Sequence, residues 1–159
     1  MTKIAIVYFS HSGNSRNLAC YIQKRLLCDR YSIQVKQAYD TTYDVLLKEE
    51  NRREVIPSSI MDRYELMIIC APTWWYHIAP AAISFLKDID TKDKLLIPFI
   101  LHGGYGTGHG YEDMKQACPQ AKIPFIYEIP FHLRKMNISF QELNQMIKGI
   151  RLHIEKEGI

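Results

Sequence analysis

The sequence predicts an α/β fold in which helices cover both faces of a parallel, five-stranded sheet. Three observations support this prediction. Short runs of β-branched and aromatic residues, typical of strands buried on both faces, alternate along the chain with segments of helical periodicity. The length of 159 residues fits a single domain covering residues 1–159. Alternating strands and helices connect by right-handed crossovers, so we expect a three-layer, doubly wound sheet with the strand order 2-1-3-4-5.

The composition excludes several classes of protein. Hydrophobic residues make up 47% of the chain and charged residues 23%, which is typical of a folded globular protein and not of a disordered one. The net charge is +3, and the basic residues form only isolated pairs such as Arg52–Arg53, so we expect no nucleic-acid binding. The charge-free stretch Leu66–Leu86 is long enough to cross a membrane. Because Pro72 and Pro80 interrupt it, a strand, a loop and a helix are favoured there, and no membrane association is expected.

The cysteines and the N-terminal segment indicate a reducing compartment. Cys20, Cys28, Cys70 and Cys118 form no C-x-x-C pair, so neither a zinc knuckle nor a dithiol redox motif is expected. The first three have apolar neighbours and are expected to be small buried hydrophobic residues. The apolar run Ile4–Phe9 is too short for a signal peptide. We therefore expect a cytoplasmic protein.

The first half of the chain is predicted to contain two strands and one helix. Lys3–Phe9 is the first strand, and Tyr31–Ala38, which alternates weakly, is a candidate second strand. Between them, the polar loop Ser10–Ser15 precedes a helix. The apolar residues of that helix recur at spacings of three and four, namely Leu18, Ala19, Ile22 and Leu26. Thr41–Glu50 is polar and is predicted to be a short helix or an irregular segment.

The second half of the chain is predicted to contain three more strands and three more helices. The strands are Leu66–Ala71, Leu95–Leu101 and Lys122–Ile129, and the first two helices are Pro80–Lys87 and Tyr111–Ala117. Pro72 is expected to end the first of these strands. Pro98 is unfavourable within the second, because proline removes a donor from the hydrogen-bond ladder.

The last helix carries the clearest local signals. Ser139 and Glu142 have the spacing of a capping box, and Ile138 and Leu143 are placed to form the hydrophobic staple around it. One apolar stripe follows, and we interpret it as a core-packing face. Its members are Phe140, Leu143, Met146, Ile147, Ile150 and Ile154.

Three loops are predicted to converge on one site. They are Ser10–Ser15, Pro72–Ala79 and His102–Gly110, and each lies within a stretch that contains no Asp, Glu, Lys or Arg. In the expected strand order, strands 1, 3 and 4 are neighbours, so these loops meet at the switch point where open α/β sheets bind ligands. Charge-free loops also arise by chance or by partial burial, but three at one edge of the sheet favour a binding site.

The first loop has the chemistry to hold a phosphate without a cation. Ser10, Ser12 and Ser15 supply hydroxyl groups, Gly13 permits close approach of the backbone, and Asn14 can donate through its amide. The loop opens a helix, whose free N–H groups attract an anion. The loop has no Walker A ending and no G-x-G-x-x-G fingerprint. A polar helix start often only caps its helix, and that interpretation stays open.

The second and third loops offer ring faces and backbone donors. Trp74, Trp75 and Tyr76 can stack on a planar ring system, although we expect one of the two tryptophans to lie in the core. The third loop has five glycines in nine residues and is expected to present several N–H groups to ligand acceptors. The three loops together hold four of the six histidines. Those are His11, His77, His102 and His109, and no metal site is expected because no carboxylate or cysteine joins them at ligand spacing.

These residues resemble the flavodoxin family. The match consists of Tyr8–Ser15 as a phosphate loop, Ala71–Trp75 after the third strand and His102–Gly108 after the fourth. The chain is most similar to short flavodoxin-like proteins with Pro-x-Trp-Trp and Gly-Gly-x-Gly loops, over nearly its whole length. The resemblance implies a flavodoxin-like fold and non-covalent FMN, with the phosphate on the first loop and the isoalloxazine between the other two. The implied cofactor-binding residues are Ser10, His11, Ser12, Gly13, Asn14, Ser15, Pro72, Thr73, Trp74, Trp75, Tyr76, His77, His102, Gly103, Gly104, Tyr105, Gly106 and Gly108.

Three functions remain open from the sequence. The resemblance implies an FMN-binding electron-transfer carrier, and the alternatives are an NAD(P)H-dependent FMN oxidoreductase acting on quinones or similar small acceptors, and a scaffold that no longer binds flavin. Tyr76 stands where the relatives usually have glycine, and Tyr105 where they have a small residue. No catalytic residue is assigned. The expected partners are an unknown redox protein or a small-molecule acceptor, and the expected state is a monomer or a weak homodimer.

Overall fold

Nine strands and five helices can be traced in the structure, a computed structural model that describes residues 3–35, 53–54 and 58–159. Within those ranges the strands are β1 (Ile4–Tyr8), β2 (Asp29–Ser32), β3 (Gln34–Val35), β4 (Arg53–Glu54), β5 (Leu66–Trp74), β6 (His77–Ile78), β7 (Leu95–His102), β8 (Tyr127–His132) and β9 (Lys135–Met136). The helices are α1 (Asn14–Leu26), α2 (Ser58–Met61), α3 (Pro80–Asp88), α4 (Gly110–Ala117) and α5 (Phe140–Glu157). The segment predicted at Thr41–Glu50 lies outside the described residues.

Five parallel strands form the centre of the sheet, in the order β2-β1-β5-β7-β8. This is the predicted order 2-1-3-4-5, so the prediction is confirmed. Two short strands extend the sheet beyond the prediction, because β6 pairs antiparallel with β5 and β9 pairs antiparallel with β8. A separate two-stranded antiparallel ribbon joins β3 to β4. The predicted second strand, Tyr31–Ala38, is therefore wrong in its bounds: the strand of the main sheet is Asp29–Ser32, Gln34–Val35 belongs to the ribbon, and residues 36–38 lie outside the described ranges.

The two faces of the sheet bury separate apolar clusters, which gives the predicted three layers. Alternate residues of β1 show the division, since Ala5 and Val7 join one cluster and Ile6 and Tyr8 join the other. Helices α3 and α4 cover the first cluster, and α1 and α5 cover the second. All but one of the apolar residues predicted on α5 pack into the second cluster. The exception is Phe140, which is exposed and stacks on the Tyr21 ring.

Pro72 does not end its strand, contrary to the prediction. The strand β5 continues to Trp74, and Pro72 stays in parallel register with Leu101 on β7. The Pro72 carbonyl accepts the N–H of Ala79 on the other side of the strand. A residue's N–H and C=O point to the same side of a strand, so the donor that proline lacks is missing from this side and not from the ladder to β7.

Pro98 explains why the last parallel strand starts later than predicted. The Leu96 N–H donates to the Lys122 carbonyl, so the N–H position of residue 98, two residues on, faces the same neighbour. Pro98 cannot donate there, and Pro124 removes a donor from the facing segment. The chain therefore touches β7 at Lys122 through one isolated bridge and pairs again only from Tyr127. The predicted strand Lys122–Ile129 is wrong in its first half for this reason.

The capping box predicted at the start of α5 is present. The Ser139 side-chain oxygen accepts the Glu142 N–H at 3.1 Å, and the Glu142 carboxylate accepts the Ser139 N–H at 2.7 Å. These bonds to the carboxylate, from the Ser139 backbone first and its hydroxyl second, lower the pKa of Glu142. A helix of 18 residues that covers the sheet thus starts at a defined residue.

Ser139→Ala is expected to reduce the free energy of unfolding by about 1 kcal/mol, because the Glu142 N–H at the start of α5 loses its acceptor. Urea denaturation followed by circular dichroism measures this change. Gln145→Ala, at an exposed position of the same helix, is the matched control and is expected to change stability by less than about 0.5 kcal/mol.

The cap is also expected to depend on pH. Because the pKa of Glu142 is lowered in the folded state, its contribution is present above the ordinary glutamate pKa and is lost as the pH falls through the lowered value. The stability difference between the wild type and Glu142→Gln is therefore expected to shrink in acid, where the wild-type carboxylate becomes neutral, and a constant difference would contradict this assignment.

Candidate functional site

The three predicted loops meet at the carboxyl ends of β1, β5 and β7 and enclose a cavity of about 290 Å³. Ten of the predicted residues line it, namely Ser10, His11, Ser12, Asn14, Ser15, Pro72, Thr73, Trp74, His102 and Gly103. A second cavity of about 330 Å³ adjoins it and shares Thr73, His102 and Gly103. Its other lining residues are Trp75, Tyr76, Tyr105 and Gly106. Four predicted residues line neither cavity, and these are Gly13, His77, Gly104 and Gly108.

The first loop is shaped by Gly13, which has a left-handed backbone with φ of 98°. The Ser10 hydroxyl oxygen accepts the Gly13 N–H at 3.1 Å and closes the turn. The first helical hydrogen bond of α1 runs from the Asn17 N–H to the Gly13 carbonyl. The N–H groups of residues 14 to 16 consequently have no acceptor within the helix and are available to an anion at the N-terminus of α1.

Ser15 supplies a buried hydroxyl without a partner. Its side chain is only 2% exposed, and it lines the first cavity. No hydrogen bond joins its hydroxyl to any residue that the structure describes. A buried polar group left unsatisfied is destabilising, so its retention here indicates an acceptor or donor supplied from outside the chain.

Asn14 is partly committed to the protein itself. Its side-chain amide, predicted to donate to a ligand, donates to the Leu133 carbonyl at 3.2 Å, so one of its two N–H groups is already used. This bond ties the first loop to the turn between β8 and β9. Phe131 and Leu133 of that hairpin line the first cavity, as does Leu101. None of these three residues was predicted to line the site. Leu133 lies in a turn and is 84% exposed, and an apolar residue in such a position is the one signal that could have identified it.

The two tryptophans divide between the core and the surface, as predicted. Trp74 is partly buried and its ring packs edge-on against Phe9 at 5.4 Å and against His11 at 5.9 Å. Trp75 and Tyr76 are exposed and form the two-residue turn of the β5–β6 hairpin. Both have positive φ, 51° and 66°, a conformation that bulky residues rarely adopt. Such strain persists only where surrounding contacts hold it.

Contacts from the third loop hold this strained turn. The Tyr76 carbonyl accepts the His109 N–H at 2.7 Å. Gly108 lies so close that a Cβ atom there would stand 2.4 Å from the Tyr76 oxygen, so only glycine fits. Gly108 therefore shapes the site without lining it.

Asp113 on α4 fixes the strand that follows the turn. Its carboxylate accepts the Ile78 N–H at 2.9 Å and contacts Nδ1 of His77 at 3.1 Å. The His77 ring also stacks on His109, with ring centres 4.8 Å apart. His77 is thus part of the scaffold behind the second loop, and Asp113, which the sequence analysis missed, orients it. The sequence analysis selected loops that lack charged residues, so it could not have identified an acidic residue on α4.

The third loop differs from the prediction in where its N–H groups point. The N–H groups of Gly104 and Gly106 both donate to His102 Nδ1, each at 3.1 Å, and so are not free for a ligand. Tyr105 between them is 81% exposed, and its ring meets the Tyr76 ring edge-on at 6.5 Å. Tyr105 thus borders the opening of the second cavity and does not fill it.

Neither cavity is lined by a charged side chain among the residues that the structure describes. Arg16 lines a third cavity, which shares Ser10, His11 and Ser12 with the first. Within the described ranges, no group of three or more His, Cys, Asp or Glu residues is placed to hold a metal ion. The site offers hydroxyl, amide and imidazole groups, a set suited to an anion held at a helix N-terminus and to a planar heterocycle.

The four cysteines are free thiols and lie apart from both cavities. Burial raises the pKa of Cys28 and of Cys118 to about 11 and raises the pKa of Cys70 as well. These thiols stay protonated at neutral pH and are poor nucleophiles. Cys28 and Cys70 are buried as predicted, whereas Cys20 is only partly buried.

In the described part of the chain, no helix has the length and apolar character needed to cross a membrane.

Comparisons with known proteins agree with this geometry. A family model described as flavodoxin matches residues 3–126. A comparison with curated protein sequences gives no match. At 20% identity and a TM-score of 0.69, a candidate flavoprotein from Bacteroides eggerthii DSM 20697 aligns over 100% of this chain and 99% of its own.

Two further crystal structures share the fold. Oxidised Flavodoxin 2 from Bacillus cereus aligns over 98% of this chain and 99% of its own, with 15% identity and a TM-score of 0.65. A flavoprotein in complex with FMN from Lactobacillus acidophilus NCFM aligns over 80% of this chain and 93% of its own, with 16% identity and a TM-score of 0.63. At these identities the structural likeness establishes the fold alone. The family model covers most of the chain, and on that match, with strand order and loop placement in agreement, the chain belongs to the flavodoxin family.

Proposed function

We propose that this protein binds FMN non-covalently and acts as a redox protein that passes electrons to a partner. The observation that carries the proposal is the buried Ser15 hydroxyl, which lacks a partner among the described residues and lies at the N-terminus of α1 in a cavity without charged walls. A phosphate would supply the missing acceptor, and the free N–H groups of the first turn would hold its charge.

The shape of the site also fits FMN. FMN is a long molecule with an anionic end and a planar end. The two adjoining cavities, of about 290 and 330 Å³, offer a matching pair of environments. Serine hydroxyls and helix N–H groups line the first cavity, and aromatic rings border the second. The flavoprotein of Lactobacillus acidophilus, whose structure contains FMN, has the same fold. The bound flavin would supply the electron chemistry, and the chain's own residues would hold and orient it.

An NAD(P)H-dependent FMN oxidoreductase acting on quinones or similar small acceptors is the second candidate. The His77–Asp113 pair favours it, because a carboxylate at 3.1 Å orients the imidazole beside the exposed Tyr76 turn. The net charge of +3 also favours it, since a positive protein repels a basic electron-donor protein. The carrier is preferred on size, because one domain of 159 residues leaves little room to bind a second nucleotide.

Several wider properties of the protein belong to the same proposal. A single domain covering residues 1–159 leaves little room for a separate nicotinamide site. The free thiols suit a reducing cytoplasm. The redox partner is a protein or a small-molecule acceptor, and the protein functions as a monomer or a weak homodimer.

Stepwise reduction of the FMN-loaded protein separates the two functions. For a carrier, absorption spectra in an anaerobic potentiometric titration are expected to show two one-electron steps, and NAD(P)H is expected not to be consumed in the presence of quinones. A single two-electron step with steady NAD(P)H oxidation would support the oxidoreductase. Both functions would be excluded if the protein is colourless after excess FMN has been removed and if FMN does not raise its melting temperature.

Ser15→Ala is expected to separate ligand binding from stability. Removing the unpartnered hydroxyl should leave the FMN-free protein equally stable or stabilise it by up to about 1 kcal/mol. FMN binding should weaken about fivefold, because one donor to the phosphate is lost. Denaturation of the FMN-free protein and fluorescence titration with FMN measure the two effects. The control is Ser59→Ala, because Ser59 is exposed and lines no cavity described above. If the Ser15→Ala protein binds FMN as tightly as the wild type, the phosphate lies elsewhere.

Gly108→Ala tests whether contact between the second and third loops shapes the site. The added Cβ would collide with the Tyr76 backbone, so the turn must shift, and FMN affinity is expected to fall by at least about tenfold. Gly104→Ala is the control, because its φ of 110° is also positive, a Cβ there meets nothing within 4 Å, and Gly104 lines neither cavity. Backbone strain alone would weaken both variants equally, so an equal loss of FMN affinity, measured by titration, would argue against the contact.

A further inference from the structure

His102 stands at the boundary of the two cavities, as the last residue of β7. This residue lines both of them. The N–H groups of Gly104 and Gly106 converge on its Nδ1 atom, each at 3.1 Å. Both glycines have positive φ, 110° and 75°, and no neighbouring atom within 4 Å would contact an added Cβ at either one. Packing at these two glycines therefore does not fix their backbone, and besides the edge-on contact of Tyr105 with Tyr76, the imidazole nitrogen is the anchor of this part of the loop.

The two bonds to Nδ1 decide where the imidazole carries its proton. A ring nitrogen that accepts hydrogen bonds is unprotonated, so the neutral His102 ring must carry its proton on Nε2. No hydrogen bond joins Nε2 to another of the described residues. One N–H donor is thus left over, on a residue that lines both cavities.

We infer that His102 is a positioning residue with two separate roles. Its Nδ1 atom holds the glycine loop in the conformation that receives the ligand, and its Nε2–H donates to a carbonyl or ring-nitrogen acceptor at the edge of a planar heterocycle. Identification of that heterocycle as the flavin rests on the proposed function. A loop ordered before binding loses less conformational freedom on binding, so the anchor raises affinity without touching the ligand.

Asparagine and leucine at position 102 separate these roles. The Asn Oδ1 atom takes approximately the place of Nδ1 and can accept both glycine N–H groups, but asparagine has no counterpart of Nε2–H. Leucine of similar size has neither group. His109→Asn is the matched control, because its side chain stacks on His77, lines neither cavity and lies in the same loop.

The anchor is tested on FMN-free protein by the exchange rates of the Gly104 and Gly106 amide protons, measured by NMR. In His102→Asn these rates are expected to stay within about threefold of the wild type, and in His102→Leu to rise at least about tenfold. His109→Asn should leave them unchanged. Equal acceleration in the asparagine and leucine variants, or no acceleration in either, would overturn the role of Nδ1.

The donor is tested by FMN titration of the same proteins. The dissociation constant is expected to rise about fivefold in His102→Asn, which loses one donor, and more than about tenfold in His102→Leu, which loses the donor and the anchor. An unchanged constant in His102→Asn would overturn the role of Nε2–H. If the wild type binds no FMN, the flavin assignment fails and the donor role fails with it, whereas the exchange rates still decide whether His102 anchors the loop.

Discussion

Parallel pairing of β1, β5 and β7 is the constraint on which the rest of the molecule depends. Strands that run in the same direction place their carboxyl ends at one edge, so three loops far apart in the chain become neighbours. The registers Tyr8 to Cys70 and Cys70 to Phe99 align the strand ends to within a few residues. Apolar side chains on both faces stabilise this pairing, since each strand is buried between two helix layers. The position of the site follows from the burial of the sheet.

The site achieves polarity without charge. Hydroxyl groups, helix N–H groups and an imidazole lie around a space that no Asp, Glu, Lys or Arg side chain lines among the described residues. One of these groups, the Ser15 hydroxyl, is buried without a partner, and the Trp75–Tyr76 turn holds an unfavourable backbone conformation. Both features lower the stability of the empty protein. Features that destabilise a folded chain persist where binding requires them, so they support the assignment of this edge as the functional site.

Most of the fold was predictable because its signals are local. Apolar runs marked the strands, periodicity marked the helices, and the Ser139–Glu142 spacing identified the start of the last helix. The errors occurred where a residue's effect depends on its neighbour across the sheet. Pro72 was expected to end a strand, but its missing N–H faces away from the ladder to β7. Pro98 was correctly identified as unfavourable, yet its consequence, a late start of the adjacent strand, involves a segment more than twenty residues away.

The sequence by itself determined the layer architecture, the strand order and the three loops that meet, because these depend on hydrophobic pattern and on chain direction. Only the tertiary structure decided which polar groups in those loops are free. The amide of Asn14 is used by Leu133, the N–H groups of two glycines are used by His102, and the Tyr76 carbonyl is used by His109. It also added Phe131 and Asp113, which no loop motif contains. A hydrogen bond is a relation between two groups in space, so sequence reveals the donors and acceptors, and only the folded chain shows which of them remain for a ligand.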